Sequence, residues 1–163
     1  MNTTNIIQRK RLMNEEKLLK NEPLSYITAY PDKNDPLTWY FLIFGPSETC
    51  YEDGHYIGKI VHSPQYPIKP PDYYMLTPSG RYQINKKICL SNSSFHTGEW
   101  TSTWNIKTIL IAFYSVFIDD SDDGISHLHL SSAERIELAK KSKEYNIKNH
   151  PEIYSNFNME NNA

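Results

Sequence analysis

The amino-acid sequence predicts an α+β fold in which one antiparallel sheet of four strands is covered by helices. Four short β-like runs lie between an N-terminal helix and a group of C-terminal helices, and turn residues such as Pro31–Asn34 separate them. Connections this short favour antiparallel hairpins over the long crossovers that parallel strands need. A helix, then strands, then further helices is an order typical of α+β domains.

The N-terminal half contains the predicted sheet. A first helix is predicted over Thr4–Asn21, where apolar residues recur at helical spacing, and the proline of Glu22-Pro23 ends it. The predicted strands are Tyr26–Tyr30, Trp39–Phe44, Tyr56–His62 and Asp72–Thr77.

The C-terminal half contains a long loop and the remaining helices. The irregular stretch Pro78–Thr103 is longer than most loops of compact domains, which favours a functional loop held by its apolar residues. Ile106–Phe117 is so apolar that we expect a buried helix, and the acidic turn Asp119–Gly124 follows it. A further helix is predicted over Ser131–Tyr145 and a short terminal helix over Pro151–Phe157.

Composition limits the class of protein. A length of 163 residues suggests one domain, spanning 1–163, and the net charge of -2 gives no bulk basicity of the kind that favours nucleic acid. The sequence contains no apolar run long enough for a membrane helix. With only two cysteines, no C-x-x-C and the weak pair His127 and His129, neither a disulfide scaffold nor a metal site is expected. We therefore expect a reducing, cytoplasmic or nuclear location.

Several motifs occur in an order that is informative together. Residues Gly45–Gly54 read G-P-S-E-T-C-Y-E-D-G, Tyr66–Pro71 read Y-P-I-K-P-P, and Ile88–Ser91 read I-C-L-S. Trp100 and Trp104 follow, ahead of the apolar helix. In this combination the sequence resembles the ubiquitin-conjugating enzymes, over nearly the whole chain.

One branch of that family is the most similar. Thr77–Tyr82 read T-P-S-G-R-Y and Asn85–Ser91 read N-K-K-I-C-L-S, with Trp104 as a second tryptophan. These segments resemble the tail-anchored, ER-associated branch, which also lacks the His-Pro-Asn motif ahead of the cysteine. Ser79 departs from the asparagine usual in that branch. The resemblance implies an ER membrane location only if a C-terminal tail has been removed from this chain.

The family resemblance implies a thioester carrier with Cys89 as the nucleophile. Such an enzyme accepts ubiquitin from an activating enzyme and passes it to a lysine or a hydroxyl of a target, with or without a ligase. The activating enzyme spends the ATP, so no cofactor is expected. A free cysteine titrates near pH ~8.5 and needs little activation. From the residues alone, Cys89 is equally compatible with an inert buried thiol, and Cys50, in a turn, is expected to be structural.

Other residues near Cys89 in the sequence are candidates for supporting roles. Asn85 and Ser79 are the local candidates for donors to the oxyanion, although Asn85 equally suits a turn. His96, in the same loop as Cys89, is expected to pack in the loop or face solvent. The acceptor-side candidates, in the loop after the apolar helix, are Asp123, Ser126, His127 and His129, whereas Asp119–Asp122 suit a solvated turn.

The resemblance also implies surfaces for partners. The candidates for the face that meets the activating enzyme and ligases are Arg9, Lys10, Arg11, Ile68, Ser102 and Thr103. An ordinary solvated helix face explains the three basic residues equally well. Ile68 replaces an aromatic residue, and Ser102-Thr103 replace a Pro-Ala pair, so the ligases that pair with this chain are expected to be unusual ones. Ile111 and Ser115 are candidates for contact with ubiquitin, and Ile111 is equally compatible with the core.

Two rival functions remain open from the sequence. A catalytically inactive variant of the same fold would act as a ubiquitin- or ligase-binding module. Such variants typically lose the cysteine, whereas Cys89 is present. A generic thiol hydrolase would need a histidine beside Cys89 in space.

Overall fold

A computed structural model describes the chain over residues 6–90, 100–119, 124 and 126–157. Its helices and strands, in chain order, are α1 Ile6–Asn21, β1 Ile27–Pro31, β2 Thr38–Phe44, β3 His55–Val61, β4 Asp72–Met75, α2 Ile106–Ile118, α3 Ser132–Asn149 and α4 Pro151–Ser155. Every predicted helix and strand that falls in this part of the chain is confirmed, with some ends unchanged and none shifted by more than four residues. The first two residues of the predicted helix Thr4–Asn21 lie outside the described residues.

The four strands form an antiparallel meander in the order β1-β2-β3-β4, as predicted. The register pairs Phe41 with Gly58 and Ile60 with Tyr73. Because side chains alternate between the two faces of a strand, Trp39, Phe41 and Ile43 project to one face of β2. We call this the inner face, since α1 and α2 pack on it.

The inner face is covered by aromatic packing. The Phe41 ring lies over Gly58, where an added β-carbon would be only 2.2 Å from the ring, and it also packs on Phe113 of α2 at 5.1 Å between centroids. Glycine is therefore required at position 58 by a close approach. Phe113 in turn stacks on Tyr73 of β4 at 5.5 Å. These contacts fix α2 across the middle of the sheet.

The prediction that Ile106–Phe117 forms a buried helix holds for only one stripe of the helix. Ile106, Ile109, Leu110, Phe113 and Phe117 are buried, as expected for one stripe of a helix. The opposite stripe, which includes Ile111, Ser115 and Ile118, faces solvent. Because isoleucines occupy both stripes, the apolar sequence concealed the amphipathic pattern.

The outer face of the sheet carries a second, smaller core. Leu42 of β2 and Ile57 of β3 pack there with Leu76 and Phe157. Tyr30 packs edge-on against Phe157 at 4.9 Å and donates a hydrogen bond from its hydroxyl to the carbonyl of Ile153 in α4. The C-terminal segment therefore belongs to the fold and covers part of the outer face.

A buried carboxylate joins α1 to the start of α2. Glu15 accepts hydrogen bonds from the Tyr66 hydroxyl at 2.7 Å and from the Ile106 amide at 2.6 Å, and it pairs with Arg11 at 3.5 Å. Burial raises the pKa of Glu15, although these donors and the charge of Arg11 oppose the shift. The partners are all donors, which suits an ionised carboxylate. No helix in the described part of the chain is long and apolar enough to cross a membrane.

Two histidines, the buried His62 and the half-buried His55, predict acid sensitivity of the fold. Burial and the nearby charge of Arg11 lower the pKa of His62 to about 3, and burial with the charge of Lys143 lowers the pKa of His55 to about 4. Below pH 6.5 the unfolded chain binds protons that the folded chain does not, so the free energy of unfolding falls as the pH is lowered towards these values. His62 alone should account for about 2 kcal/mol between pH 7 and pH 5.

Urea denaturation of the wild type and of His62→Phe at pH 7 and pH 5 measures this contribution. Phenylalanine keeps an aromatic ring against Tyr66, whose centroid lies 4.0 Å from that of His62. Between pH 7 and pH 5, the free energy of unfolding should fall by about 2 kcal/mol less in the variant than in the wild type. Glu15 contributes with the opposite sign, because its pKa is raised, but it contributes to both proteins. An equal loss in both would show that His62 is not held neutral by the fold.

Candidate active site

Cys89 lies in a short irregular segment, between two residues whose side chains are anchored in the core. The Ile88 amide donates to the Tyr73 carbonyl of β4 at 3.0 Å, and the side chains of Ile88 and Leu90 are both buried. Cys89 between them is a half-buried free thiol. Anchoring on both sides holds the main chain of the cysteine, while its side chain keeps access to solvent. This placement argues against the alternative that Cys89 is an inert core residue.

Gly124, which follows α2 in the sequence, lies beside this thiol. A β-carbon built on Gly124 would lie 3.1 Å from Cβ and 3.4 Å from Sγ of Cys89. Position 124 therefore borders the nucleophile, although 35 residues of sequence separate the two. Sequence reasoning did not select Gly124, because an isolated glycine in an acidic turn carries no signal of such a contact.

His127 contacts the main chain of Cys89. Its Nε2 lies 3.0 Å from the Cys89 carbonyl oxygen, and its Nδ1 lies 3.1 Å from a guanidinium nitrogen of Arg81. The ring also packs edge-on against Tyr82 at 4.9 Å. Both ring nitrogens are thus engaged away from the thiol, so His127 does not form the Cys/His pair that a thiol hydrolase needs.

The two oxyanion candidates are placed very differently. Asn85 is exposed, has a left-handed φ of 60°, and donates its amide to the Met75 carbonyl at 2.8 Å, which matches the turn-forming alternative. Ser79 is 0% exposed, and its hydroxyl oxygen accepts the Arg81 amide at 3.1 Å. A fully enclosed hydroxyl bound to its own turn does not suit an oxyanion donor, so the structure contradicts the prediction for Ser79.

The acceptor-side candidates divide along the same loop. Ser126 is half-buried with a left-handed φ of 72°, and its carbonyl accepts the Gln83 amide at 2.8 Å. His127 is buried and His129 is exposed. Asp123 lies outside the described residues, as does His96. The Leu128 amide donates to the Arg81 carbonyl at 2.8 Å, so this segment is paired with the chain that leads to Cys89.

The candidates for partner contact lie on α1 and two neighbouring loops. Trp100 donates its indole N–H to the Pro67 carbonyl at 2.8 Å and the Ser102 hydroxyl donates to the same oxygen at 3.2 Å, so the two loops are joined. Next to this junction Ile68 is 76% exposed, and Thr103 is exposed too. Ile68, Ser102 and Thr103 are therefore exposed around the junction of the two loops.

Of the three basic residues of α1 that are candidates for partner contact, only two are open to solvent. Arg9 and Lys10 are exposed. Arg11 turns inward, where it pairs with Glu15, donates to the Trp104 carbonyl and lies over the Tyr66 ring. The prediction that Arg11 belongs to an open basic face is therefore wrong. Its spacing from Glu15, one helical turn on, was the sequence signal for the pair.

Ile111 and Ser115 lie on the exposed stripe of α2. Ile111 is 45% exposed, which excludes the core alternative, and the Ser115 hydroxyl donates to its carbonyl at 3.0 Å. Cys50 lies half-buried against the inner core in the Gly45–Gly54 turn, which matches a structural role. Among the residues that the structure describes, no cluster of His, Cys, Asp or Glu could hold a metal ion.

Comparison with known proteins decides the family. The sequence model for ubiquitin-conjugating enzymes matches residues 11–155. The chain belongs to the ubiquitin-conjugating enzyme family. The fold agrees, since human ubiquitin-conjugating enzyme E2 G1 superimposes with a TM-score of 0.59 at 26% identity, over 66% of this chain and 92% of that one.

The curated relatives confirm the branch that the sequence resembles. Ubiquitin-conjugating enzyme E2 6 of Schizosaccharomyces pombe is 38% identical over 144 residues, which are 88% of this chain and 63% of the relative. Ubiquitin-conjugating enzyme E2 J2 of Homo sapiens is 34% identical over 139 residues, which are 85% of this chain and 53% of the relative. The chain thus spans little more than half the length of these relatives.

The position of Gly124 makes a prediction about the thiol. In Gly124→Ala the new β-carbon would lie closer to Cys89 than most side-chain contacts allow, so one side of the sulfur becomes crowded. Alkylation of Cys89 by iodoacetamide at neutral pH should slow severalfold, as measured by mass spectrometry of the peptides. Cys50 in the same molecule is the internal control and should react at an unchanged rate. An unchanged rate at both cysteines would show that this loop does not border the nucleophile.

Proposed function

We propose that this chain carries ubiquitin as a thioester on Cys89 and transfers it to a target. The observation that supports this function best is the position of Cys89. Its thiol is half-buried and forms no disulfide, and the neighbouring residues Ile88 and Leu90 are both buried. Family membership supports the same role. The mechanism has two steps, and each exchanges one bond at Cys89.

In the first step, Cys89 accepts ubiquitin from the activating enzyme. The Cys89 thiolate attacks the carbonyl carbon of the thioester that the activating enzyme carries. A new carbon–sulfur bond forms to Cys89 as the old one breaks, and the thiolate of the activating enzyme leaves. The activating enzyme has already spent ATP, so the exchange is nearly balanced in energy and this chain needs no cofactor.

In the second step, an acceptor takes ubiquitin from Cys89. A lysine amine or a hydroxyl attacks the thioester carbonyl, a carbon–nitrogen or carbon–oxygen bond forms, and Cys89 leaves as a thiolate. The acceptor loses one proton to a base or to water. Asn85, exposed four residues before the nucleophile, is our candidate donor to the developing oxyanion. Ser126, His129 and Asp123 remain the candidates on the acceptor side.

Surfaces elsewhere on the domain suit the partners of these steps. We propose that Arg9, Lys10, Ile68 and the loop carrying Ser102 and Thr103 meet the activating enzyme and a ligase, because all of these residues are exposed. The exposed stripe of α2 with Ile111 and Ser115 would contact the carried ubiquitin. A cytoplasmic or nuclear location is proposed too, since a chain with only two cysteines is not the disulfide scaffold typical of small secreted proteins.

A charging assay tests the proposed function. The protein is mixed with ubiquitin, activating enzyme and ATP, and non-reducing gels are run for the wild type, Cys89→Ala and Cys50→Ala. The wild type and Cys50→Ala should gain one ubiquitin that reductant removes, because a thioester is cleaved by added thiol. Cys89→Ala should gain none. Cys89→Ser should form an ester that survives reductant, which locates the bond.

The same assay separates the rival functions. A wild type that stays uncharged with ubiquitin and with related modifiers would favour the inactive binding module, and so would failure of Cys89 to react with a thiol probe in the folded state. Cleavage of a simple ester substrate, lost in Cys89→Ala, would favour the thiol hydrolase. Charging of Cys89→Ala at the wild-type level would exclude Cys89 as the carrier.

A further inference from the structure

The side chain of Arg81 is completely buried, and both of its terminal guanidinium nitrogens contact acceptors. One guanidinium nitrogen donates to the carbonyls of Val116 and Asp119 at 3.1 and 3.2 Å, at the C-terminal end of α2. The other lies 3.1 Å from Nδ1 of His127, and the guanidinium lies over the Tyr82 ring at 4.5 Å. A buried cation needs partners of this kind, because an unpaired charge in the interior costs several kcal/mol.

These contacts determine the tautomer of His127. An arginine side chain only donates hydrogen bonds, so Nδ1 of His127 must be the acceptor and carries no proton. The single imidazole proton then lies on Nε2, which is 3.0 Å from the carbonyl oxygen of Cys89, an acceptor. The geometry thus describes a directed chain of hydrogen bonds, from Arg81 to His127 and from His127 to the main chain at the nucleophile.

The ring of His127 is held from several directions. Residues Tyr82 and His127 form an antiparallel bridge, and the Leu128 amide donates to the Arg81 carbonyl. Edge-on packing against Tyr82 fixes the plane of the imidazole. Because both its backbone and its ring are fixed, His127 can hold the Cys89 carbonyl in one direction rather than merely follow it.

We propose that His127 is a positioning residue for Cys89, oriented by the buried Arg81, and not the base that deprotonates an acceptor. The inference rests on the proposed function of Cys89. It replaces the acceptor-side role predicted for His127 from the sequence, since neither ring nitrogen is available to an incoming amine. A fixed carbonyl sets the direction of the Cys89 side chain, which both steps of the reaction use.

The rates of charging and of transfer distinguish a positioning residue from an acceptor-side base. A base on the acceptor side acts only when the acceptor is deprotonated, so its loss slows transfer and leaves charging intact. A positioning residue acts on the cysteine itself, so its loss slows both steps. Measuring the two steps separately therefore decides between the roles.

Single-turnover rates for charging, and for discharge onto free lysine, are measured for the wild type, His127→Leu and His127→Gln. Leucine removes the hydrogen bonds and should slow both steps about tenfold, which is the effect of losing one hydrogen bond at a buried group. Glutamine offers a carbonyl to Arg81 and an N–H to Cys89, so it should restore both rates to within about threefold. His150→Gln, at the junction of α3 and α4, is the matched control and should behave as the wild type.

Several outcomes would overturn the proposal. Normal charging with slowed discharge in His127→Leu would make His127 an acceptor-side base. Equal defects in the leucine and glutamine variants would exclude the hydrogen bond as the cause, provided that urea denaturation shows both to be folded. A wild type that does not charge would refute the proposed function instead.

The tautomer gives a test that does not depend on activity. In the full chain with ¹⁵N-labelled histidine, NMR at neutral pH should show His127 protonated at Nε2 alone, and the Nε2 proton should exchange slowly. In Arg81→Lys the fork of donors is lost, and the preference for this tautomer should weaken. A proton on Nδ1 in the wild type would refute the proposal, whether or not Cys89 carries ubiquitin.

Discussion

Helix α2 is held between two buried charges that its own sequence does not supply. The helix contains no acidic residue in its first turn and no basic residue in its last turn. Glu15 of α1 instead accepts the Ile106 amide at the N-terminal end, and Arg81 donates to the Val116 and Asp119 carbonyls at the C-terminal end. Each charge has the sign that the helix dipole favours at that end. Because neither group can be buried without these partners, the position of α2 and the position of the two charged segments determine one another.

The active site depends on the second of these charges. Arg81 reaches the end of α2 and His127 with one planar group, and His127 reaches the carbonyl of Cys89. The same helix therefore organises the core through Phe113 on one stripe and contacts this network through its C-terminal carbonyls. Helix α2 therefore supports both the packing on the sheet and the direction of the Cys89 side chain. The chain has no His-Pro-Asn ahead of Cys89.

Much of the fold could be predicted from the sequence, because its elements are short and separated by strong turn signals. The four strands follow alternation and turn residues that are local properties of the chain. Helix α2 was harder, since isoleucines on both of its stripes remove the contrast between core and solvent. Arg11 was predicted wrongly because its partner Trp104 is brought to it by the tertiary fold. Ser79 was predicted wrongly because it lies in an enclosed turn, where its hydroxyl accepts the amide of Arg81. Cys89 came from motifs, whereas its contacts with Gly124 and His127 join segments more than thirty residues apart, and no local pattern encodes them.

The second core on the outer face of the sheet has a consequence for where the folding unit ends. Phe157 is buried against Tyr30 and its neighbours, two residues beyond the end of α4 and beyond the 155 at which the family match stops. A domain truncated after residue 155 would lose Phe157 and expose more of the apolar cluster of Leu42, Ile57 and Leu76, which favours aggregation. Residues 151–157 thus cover part of the outer face of the sheet. Any fusion, tag or truncation designed for this protein should leave the chain intact through Phe157.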